Sequence, residues 1–529
     1  SWNNKFVSAD LSTPLTHSGN VRARFVAKKE VGDTFMDLPE DDKTVVYGVI
    51  DADITDQASL SIGSSYQNND PTASTWGGLS SWYGDGSRTD WSRDKSSAAD
   101  WTFWASTNEN QFANFKYAFS NGWELKVNYN HSKNTQDAQL LYLYGAADKN
   151  TGVGLFAWPF KSDGYSKQDS VDIQLKGGYS LFGQTHEFVV GALDSDQEAK
   201  TYTYAYTSSG SVGDYNQWDG SFPEPDWGAS SVAVDFNTEQ QGYYAATRIS
   251  LADPLKLIAG ARVSSWNRTG VSYGDPQTYG DDDVVVPYTG LLYEFADNHN
   301  AYISYTSIFK PQVELNQQRQ PLDSIKGNNA ELGLKSAYLD GKLQTSVAVF
   351  SIKQDNLAQV AGEHDPVNGQ QPEAYYREAD GVESTGFEFE VIGQPLDGWN
   401  VSFGYSQFKA EDSEGAAVNT DHPRKKLNLF TTYDFSGVMD GFVVGGGISW
   451  EDKNYTDTFN GVTGAPERLQ QDSFSLVSLM ARYQINDQIS VQFNVDNLLD
   501  ETYYSQIGFF DQYGYGAPRN YTLGATYSF

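Results

Sequence analysis

The chain has 529 residues, of which 39% are apolar, 14% are aromatic and 49 are glycine. Its 69 acidic and 36 basic side chains leave a net charge of −33, which makes nucleic acid a poor partner. Cysteine is absent, and this excludes disulfide bonds, cysteine-based zinc sites and a thiol nucleophile. No run of about 18 apolar residues occurs, so helical membrane spans are excluded as well.

Alternation of apolar and polar residues, interrupted by turn signals, is the main pattern along the chain. Short turns are predicted at 16–19, 55–58, 120–122, 181–184, 252–254, 296–299, 339–341, 395–398, 436–440 and 485–487. Longer connections alternate with them, near 30–43, 68–110, 133–168, 195–239, 267–284, 309–326, 354–381, 410–423, 453–472 and 498–517. These connections predict 21 strands, with short turns at one end and long loops at the other. That asymmetry is typical of a transmembrane β-barrel.

The last ten residues, 520–529, carry the pattern most clearly. Tyr521, Leu523, Tyr527 and Phe529 point to one side of an extended strand, and small polar residues point to the other. A membrane barrel turns the apolar side to lipid and the polar side to a wet lumen. This segment, with its terminal Phe529, resembles the carboxy-terminal assembly signal of bacterial outer-membrane barrels.

The fold class that follows is all-β, a transmembrane antiparallel barrel. Bacterial single-chain barrels usually have an even number of strands, so 21 strands predict one more strand upstream of Ser1. A barrel of 22 strands belongs to the plugged transporter class. No linker divides the chain, and residues 1–529 are predicted to form one barrel domain.

Several motifs in this order resemble those of TonB-dependent ferric-siderophore receptors. The sequences that carry the likeness occupy residues 301–312, 325–335, 350–358, 384–390 and 494–504. Residues 75–79, 99–101, 245–255 and 445–450 further resemble receptors for coprogen and related fungal hydroxamates such as rhodotorulic acid. Receptors of this family begin with a TonB-contacting segment and a globular plug, and no segment of this chain matches either. The resemblance therefore implies the barrel portion of a receptor whose plug and most of whose first strand are missing upstream.

The resemblance also implies a ligand site made of aromatic side chains at the outer mouth, because a ferric hydroxamate is bulky and apolar at its periphery. Trp76 lies in a segment that matches the coprogen-receptor pattern, and Tyr142 and Tyr144 lie two residues apart and face the same side. An interfacial aromatic girdle is the competing interpretation for such residues. The candidate ligand-binding residues are Trp76, Tyr142, Tyr144, Trp158, Tyr204 and Tyr206.

Neither a catalytic group nor an intrinsic metal or cofactor is expected. The six histidines show no paired ligand spacing, and no nucleophile elbow or Ser/His/Asp constellation occurs. Iron would arrive already bound by its siderophore. Asp281, Asp282 and Asp283 could hold Ca²⁺, although a solvated acidic loop is favoured.

The function predicted from the sequence is a monomeric receptor for ferric siderophores in the outer membrane of a Gram-negative bacterium. Its expected partners are the ferric siderophore, the TonB complex and the lipid or lipopolysaccharide of that membrane. A passive porin-like channel is the first alternative, and a barrel enzyme is the second.

Overall fold

The computed structural model describes residues 2–207, 210–364 and 374–529 and consists almost entirely of β-strands. In chain order the strands are β1 (Lys5–Pro14), β2 (Val21–Asp33), β3 (Glu40–Asp53), β4 (Ala58–Asn69), β5 (Leu79–Ser80), β6 (Phe103–Ala118), β7 (Glu124–Gly145), β8 (Leu155–Leu181), β9 (Gln184–Tyr206), β10 (Gly210–Ser211), β11 (Trp227–Ala252), β12 (Leu255–Ser272), β13 (Asp275–Ala296), β14 (His299–Lys310), β15 (Ile325–Tyr338), β16 (Leu343–Asp355), β17 (Leu357–Glu363), β18 (Ala374–Ala379), β19 (Val382–Leu396), β20 (Trp399–Glu411), β21 (Lys425–Asp434), β22 (Phe442–Glu451), β23 (Asn454–Phe459), β24 (Pro466–Gln471), β25 (Phe474–Gln484), β26 (Ile489–Asp496), β27 (Tyr504–Phe509), β28 (Gln512–Tyr515) and β29 (Asn520–Tyr527). Two 3-10 helices occupy Tyr215–Gln217 and Gly437–Met439. In the described part of the chain, no helix combines the length and the apolarity needed to cross a membrane.

One large antiparallel sheet contains 22 of these strands. Without the two-residue β10, 21 strands form the wall, as predicted. Each of the ten predicted short turns falls between two consecutive wall strands. The alternation of apolar and polar residues, bounded by turn residues, was therefore sufficient to find these ten connections.

Several predicted long loops are wrong in extent, because the strands continue through them. β7 runs to Gly145 and β8 begins at Leu155, so only nine residues of the predicted loop 133–168 lie outside the ladder. β12 and β13 likewise meet at Tyr273 and Gly274, inside the predicted loop 267–284. Residues 132–137 are polar on both faces, so no alternation marks them as a strand, yet backbone pairing extends the hairpin above the apolar band.

The two faces of the wall differ as expected for a barrel. In β29, Tyr521, Leu523 and Tyr527 are exposed and share one face, and Phe529, just beyond the strand, is also exposed. Their cross-strand partners include Phe493 of β26, which is exposed too. We call this apolar face the exterior and the polar face the interior. An exposed apolar band of this kind suits lipid.

The first and last wall strands keep unpaired edges. Among the described residues, β1 pairs with β2 alone and β29 with β26 alone. Successive strands alternate in direction, so the first and the last of 21 strands run the same way. The sheet curls until these edges face each other across a groove of about 750 Å³, which Phe6, Tyr521 and Leu523 help to line.

The long connections at one end of the wall fold into a compact layer, which we call the cap. It consists of residues 70–102 and 210–222 and of the hairpins β23–β24 and β27–β28. β5, β27 and β28 form a small sheet in it. Its core buries Leu141, Leu143, Leu155 and Tyr215, and so anchors the cap to the β7–β8 hairpin.

Candidate functional site

The end of the β7–β8 hairpin carries tyrosines on the interior face. β7 and β8 pair without a register shift along the whole of β7. Side chains alternate along a strand, so Tyr142 and Tyr144 share the face of the polar Asn128 and Asn130, whereas Val127 faces the exterior. Both tyrosines therefore line the interior, at the cap end.

An aromatic cluster surrounds Tyr142. The ring of Trp76 lies 5.7 Å from that of Tyr142 and 5.5 Å from that of Trp158, measured between centroids. Phe160 lies 5.0 Å from Trp76, and Phe510 lies 5.7 Å from Tyr142. The structure thus brings together three predicted residues from two separate regions of the chain, and we call these five residues the aromatic cluster.

Two glycines allow Trp76 to reach this position. Gly77 has a φ of 81°, and a Cβ atom there would overlap the side-chain oxygen of Gln512. The Gly78 amide donates a hydrogen bond of 2.7 Å to that oxygen, and the Gln512 side-chain amide donates one of 2.8 Å to the carbonyl of Leu143. One glutamine therefore joins the Trp76 segment, the hairpin β27–β28 and the end of β7.

Tyr142 and Tyr144 differ in exposure although they share a face. Tyr142 is 7% exposed, and burial, with a smaller effect of the nearby Asp511 carboxylate, raises the pKa of its phenol to about 12. Tyr144 is 42% exposed and stacks on Phe156 at 5.9 Å. Tyr142 therefore supplies a neutral, fixed ring, while Tyr144 presents its ring to solvent beside a cleft of about 210 Å³.

Of the two remaining predicted tyrosines, Tyr204 lies apart from the aromatic cluster, whereas Tyr206 lies beside Trp158. The Tyr204 hydroxyl donates a 2.6 Å hydrogen bond to Asp163, and the ammonium of Lys161 lies 4.9 Å from the Tyr204 ring. Asp163 alternates with Trp158 along β8 and belongs to the opposite face. The ring of Tyr206 packs 6.5 Å from that of Trp227, and burial raises the pKa of the Tyr206 phenol.

Two members of the aromatic cluster were not predicted from the sequence. Phe160 follows Trp158 at strand spacing, so the alternation could have identified it. Phe510 occupies the two-residue turn between β27 and β28 and reaches Tyr142 only through the packing of the cap. No local pattern in the sequence indicates that contact.

The acidic side chains that the structure describes show no arrangement that suits a metal. Within residues 2–207, 210–364 and 374–529, no group of three or more His, Asp or Glu could hold an ion. Asp281 accepts a hydrogen bond from the Ser324 hydroxyl, and Asp282 accepts one of 2.6 Å from Asn267. These neighbouring carboxylates turn to separate partners and do not converge.

Comparison with known proteins identifies the family. The model of the family "TonB dependent receptor-like, beta-barrel" matches residues 47–498. The Ferripyoverdine receptor of Pseudomonas aeruginosa is 36% identical over the whole chain, and the Ferric-pyoverdine BN7/BN8 receptor of Pseudomonas putida is 33% identical. The chain spans 65% and 64% of the lengths of these two relatives.

Solved structures agree with this result. The outer-membrane ferripyoverdine receptor of Pseudomonas aeruginosa, bound to ferripyoverdine, superposes with a TM-score of 0.93 at 35% identity. The match covers the whole of this chain and 70% of that one. These relatives are receptors and not enzymes, and they point to no intrinsic cofactor, as the sequence predicted. This chain belongs to the TonB-dependent receptor family, of which it has the β-barrel.

Proposed function

We propose that this protein is an outer-membrane receptor that takes up a ferric siderophore, with work supplied by the TonB complex. The observation that carries the proposal is the aromatic cluster, which presents Trp76, Tyr142 and Trp158 on the interior face at the mouth of the wall. Aromatic rings with a few polar neighbours suit a bulky ligand whose iron is already coordinated. The apolar exterior would lie in lipid, and its polar upper rim would face lipopolysaccharide.

The relatives favour a pyoverdine as the siderophore. Two of them, at 36% and 33% identity, are named for pyoverdine, and neither is named for coprogen. The coprogen and hydroxamate assignment rests on short motifs alone. We therefore propose a ferric pyoverdine as the first ligand and keep ferric coprogen as the alternative.

One further strand would complete the wall. The unpaired edges of β1 and β29 run the same way, so a single intervening strand would be antiparallel to both. The relatives are longer than this chain. We propose that a segment preceding Ser1 supplies this strand and the plug that fills the interior.

Replacing Trp76 tests the role of the aromatic cluster. In the complete receptor, Trp76→Ala should weaken ferripyoverdine binding several-fold, because one aromatic contact contributes about 0.5–1.5 kcal/mol beyond burial. Titration of purified receptor with ferripyoverdine, and separately with ferric coprogen, measures the change. Phe182→Ala is the matched control, because Phe182 is 93% exposed in a short turn at the other end of the wall.

Two outcomes would contradict the proposal. Unchanged affinity in Trp76→Ala would remove the aromatic cluster from the ligand site. Failure of the wild-type receptor to bind any ferric siderophore would remove the function itself.

A further inference from the structure

A small cleft beside the aromatic cluster combines aromatic rings with one carboxylate. It encloses about 210 Å³ between the end of β7, the turn of the hairpin β23–β24 and the turn of β27–β28. Trp82, Tyr142, Tyr144 and Phe510 supply its rings, and Asp511 supplies its charge. None of the described residues that line this cleft is basic.

The turn that presents Phe510 and Asp511 is unfavourable for these residues. Phe509 pairs with Gln512, so Phe510 and Asp511 form a two-residue hairpin turn. Both are left-handed, with φ values of 49° and 56°, which is the geometry of a type I′ turn. Asn-Gly is the favoured sequence there, and a phenylalanine resists positive φ. The turn is therefore less stable than one with a favoured sequence would be. It places a ring and a carboxylate next to Tyr142.

The Asp511 side chain is held in place by a hydrogen bond and has no cationic partner among the described residues. Thr458 donates a 2.5 Å hydrogen bond to one carboxylate oxygen, and the Ser81 hydroxyl binds the Asp511 main-chain carbonyl. In the part of the chain that the structure describes, no Lys, Arg or His forms an ion pair with Asp511. A fixed carboxylate beside four aromatic rings is a suitable receptor for a cation, because the ring faces carry negative charge.

We propose that this cleft is a cation subsite that holds a protonated amine or guanidinium group on the periphery of the ligand. Asp511 pairs with the cation, while Tyr142, Tyr144 and Phe510 surround its alkyl stem. The ligand class that fits is a ferric siderophore with a basic side chain near one end. This assignment deepens the proposed function and depends on it for the identity of the ligand.

The charge preference of the cleft can be measured without any siderophore. Val462 lines the cleft and is 41% exposed, and these 529 residues contain no cysteine. In the complete receptor, Val462→Cys should react faster with a cationic trimethylammonium methanethiosulfonate than with its anionic sulfonate counterpart. Asp511→Asn should lower that ratio of rates by about threefold to tenfold, as expected for one charge at close range in water.

Two controls accompany this measurement. Asp487→Asn removes the same charge from an exposed short turn at the other end of the wall and should leave the ratio unchanged. Receptor without Val462→Cys corrects for any thiol elsewhere in the complete protein. A ratio that Asp511→Asn does not change would overturn the cation subsite and leave the proposed function intact.

A matched pair of ligands then tests the subsite in siderophore binding. Ferrioxamine B ends in a protonated primary amine, and N-acetylation removes only that charge. Wild-type receptor should bind ferrioxamine B at least several-fold more tightly than the acetylated form, and Asp511→Asn should abolish the preference. Equal affinities in the wild type, or binding of ferripyoverdine with no binding of ferrioxamine B, would overturn the assignment of the amine to the ligand. If the wild type binds no ferric siderophore, the proposed function fails, and the rates at which the two methanethiosulfonates form a mixed disulfide with the cysteine, releasing methanesulfinate, decide whether the cleft is a cation site.

Discussion

The wall gains height in two different ways on its two sides. On the tall side, strands β7–β9 and β11–β13 have 18 to 27 residues and simply continue their ladders beyond the apolar band. On the short side, strands such as β21, β22, β26 and β29 have 8 to 10 residues, and separate hairpins rise from their ends. The tall side relies on backbone hydrogen bonds, whereas the hairpins rely on side-chain contacts. Single side-chain replacements should therefore damage the cap more than they damage the tall wall.

The largest expected effect concerns the core of the cap. Tyr215 is 1% exposed, its hydroxyl donates a 2.9 Å hydrogen bond to the carbonyl of Ser96, and its ring meets Trp91 edge-on at 5.1 Å. Tyr215→Ala should cost the cap about 3–5 kcal/mol, as other large aromatic truncations in cores do. Hydrogen exchange in the complete receptor should report faster exchange in residues 79–102 and 212–222, with the ladder of β8 and β9 unchanged. Equal acceleration in that ladder would show that the cap and the wall unfold together.

Tyr215→Phe separates packing from hydrogen bonding at the same position. This variant keeps the ring and loses the hydroxyl. It should lower the stability of the cap by only about 1–3 kcal/mol, because the carbonyl of Ser96 is left without its hydrogen bond from Tyr215.

The next effect concerns the carboxylate that fastens the hairpin β23–β24. Glu467 accepts hydrogen bonds of 2.6 Å from Asn460 and 2.9 Å from the Trp82 indole, and Arg88 approaches to 3.3 Å. Glu467→Gln should loosen the hairpin by about 1.5–3 kcal/mol, the range for hydrogen bonds to a charged group. Hydrogen exchange of residues 454–471 measures this. Glu414→Gln, in an exposed loop, should leave the exchange unchanged.

The same carboxylate makes the docking of the hairpin dependent on pH. The hydrogen bond from Asn460, and then that from Trp82, holds the pKa of Glu467 below its ordinary value of 4.5. A lowered folded-state pKa means that the stabilisation is complete above pH 4.5 and is lost as the pH falls through the folded-state pKa. Exchange of residues 454–471 should therefore accelerate in acid in the wild type. The step should be smaller in Glu467→Gln and should not vanish, because the hydrogen bond from Arg468 also lowers the pKa of Asp457 in the same hairpin.

A smaller effect is expected from a pair of strand glycines on the two sides. A Cβ atom at Gly164, in the tall β8, would lie 2.5 Å from the Lys200 carbonyl oxygen, whereas one at Gly404, in β20, would meet nothing within 4 Å. Gly164→Ala should cost about 1–3 kcal/mol by forcing β8 and β9 apart. Gly404→Ala should be neutral or stabilising by up to about 1 kcal/mol. Thermal unfolding of both variants checks the difference, and equal midpoints would contradict it.

The smallest effect concerns the tyrosine on the opposite face from the aromatic cluster. Tyr204 bonds to Asp163 and packs near Lys161, away from Trp76. Tyr204→Phe should leave ferripyoverdine affinity unchanged in the titration that detects Trp76→Ala. A loss as large as that of Trp76→Ala would show that the ligand also uses the opposite face.

The sequence was informative wherever one face of a strand is apolar. The short turns were predicted from turn residues between alternating runs, and the last strand was predicted because Tyr521, Leu523 and Tyr527 alternate with polar residues. The upper part of β7 was missed because its residues are polar on both faces, so only the pairing partner makes it a strand. Trp76 and Tyr142 were both predicted as candidate ligand-binding residues from a family resemblance, but their contact was not predicted. The contact of Phe510 with Tyr142 was not predicted either, because it depends on how the connections of the cap pack together.

The hydrogen bond between Gly78 and Gln512 also has a consequence for folding order. It joins residues 434 positions apart, and the Gln512 bond to Leu143 spans 369. Contacts of such separation form late, because closing so long a loop costs more chain entropy than pairing strands that are neighbours in the sequence. The mouth of the receptor is therefore completed only after β27 and β28 have been synthesised and the wall has curled. A chain that stops short of β27 would retain most of its strands and still lack a finished entrance.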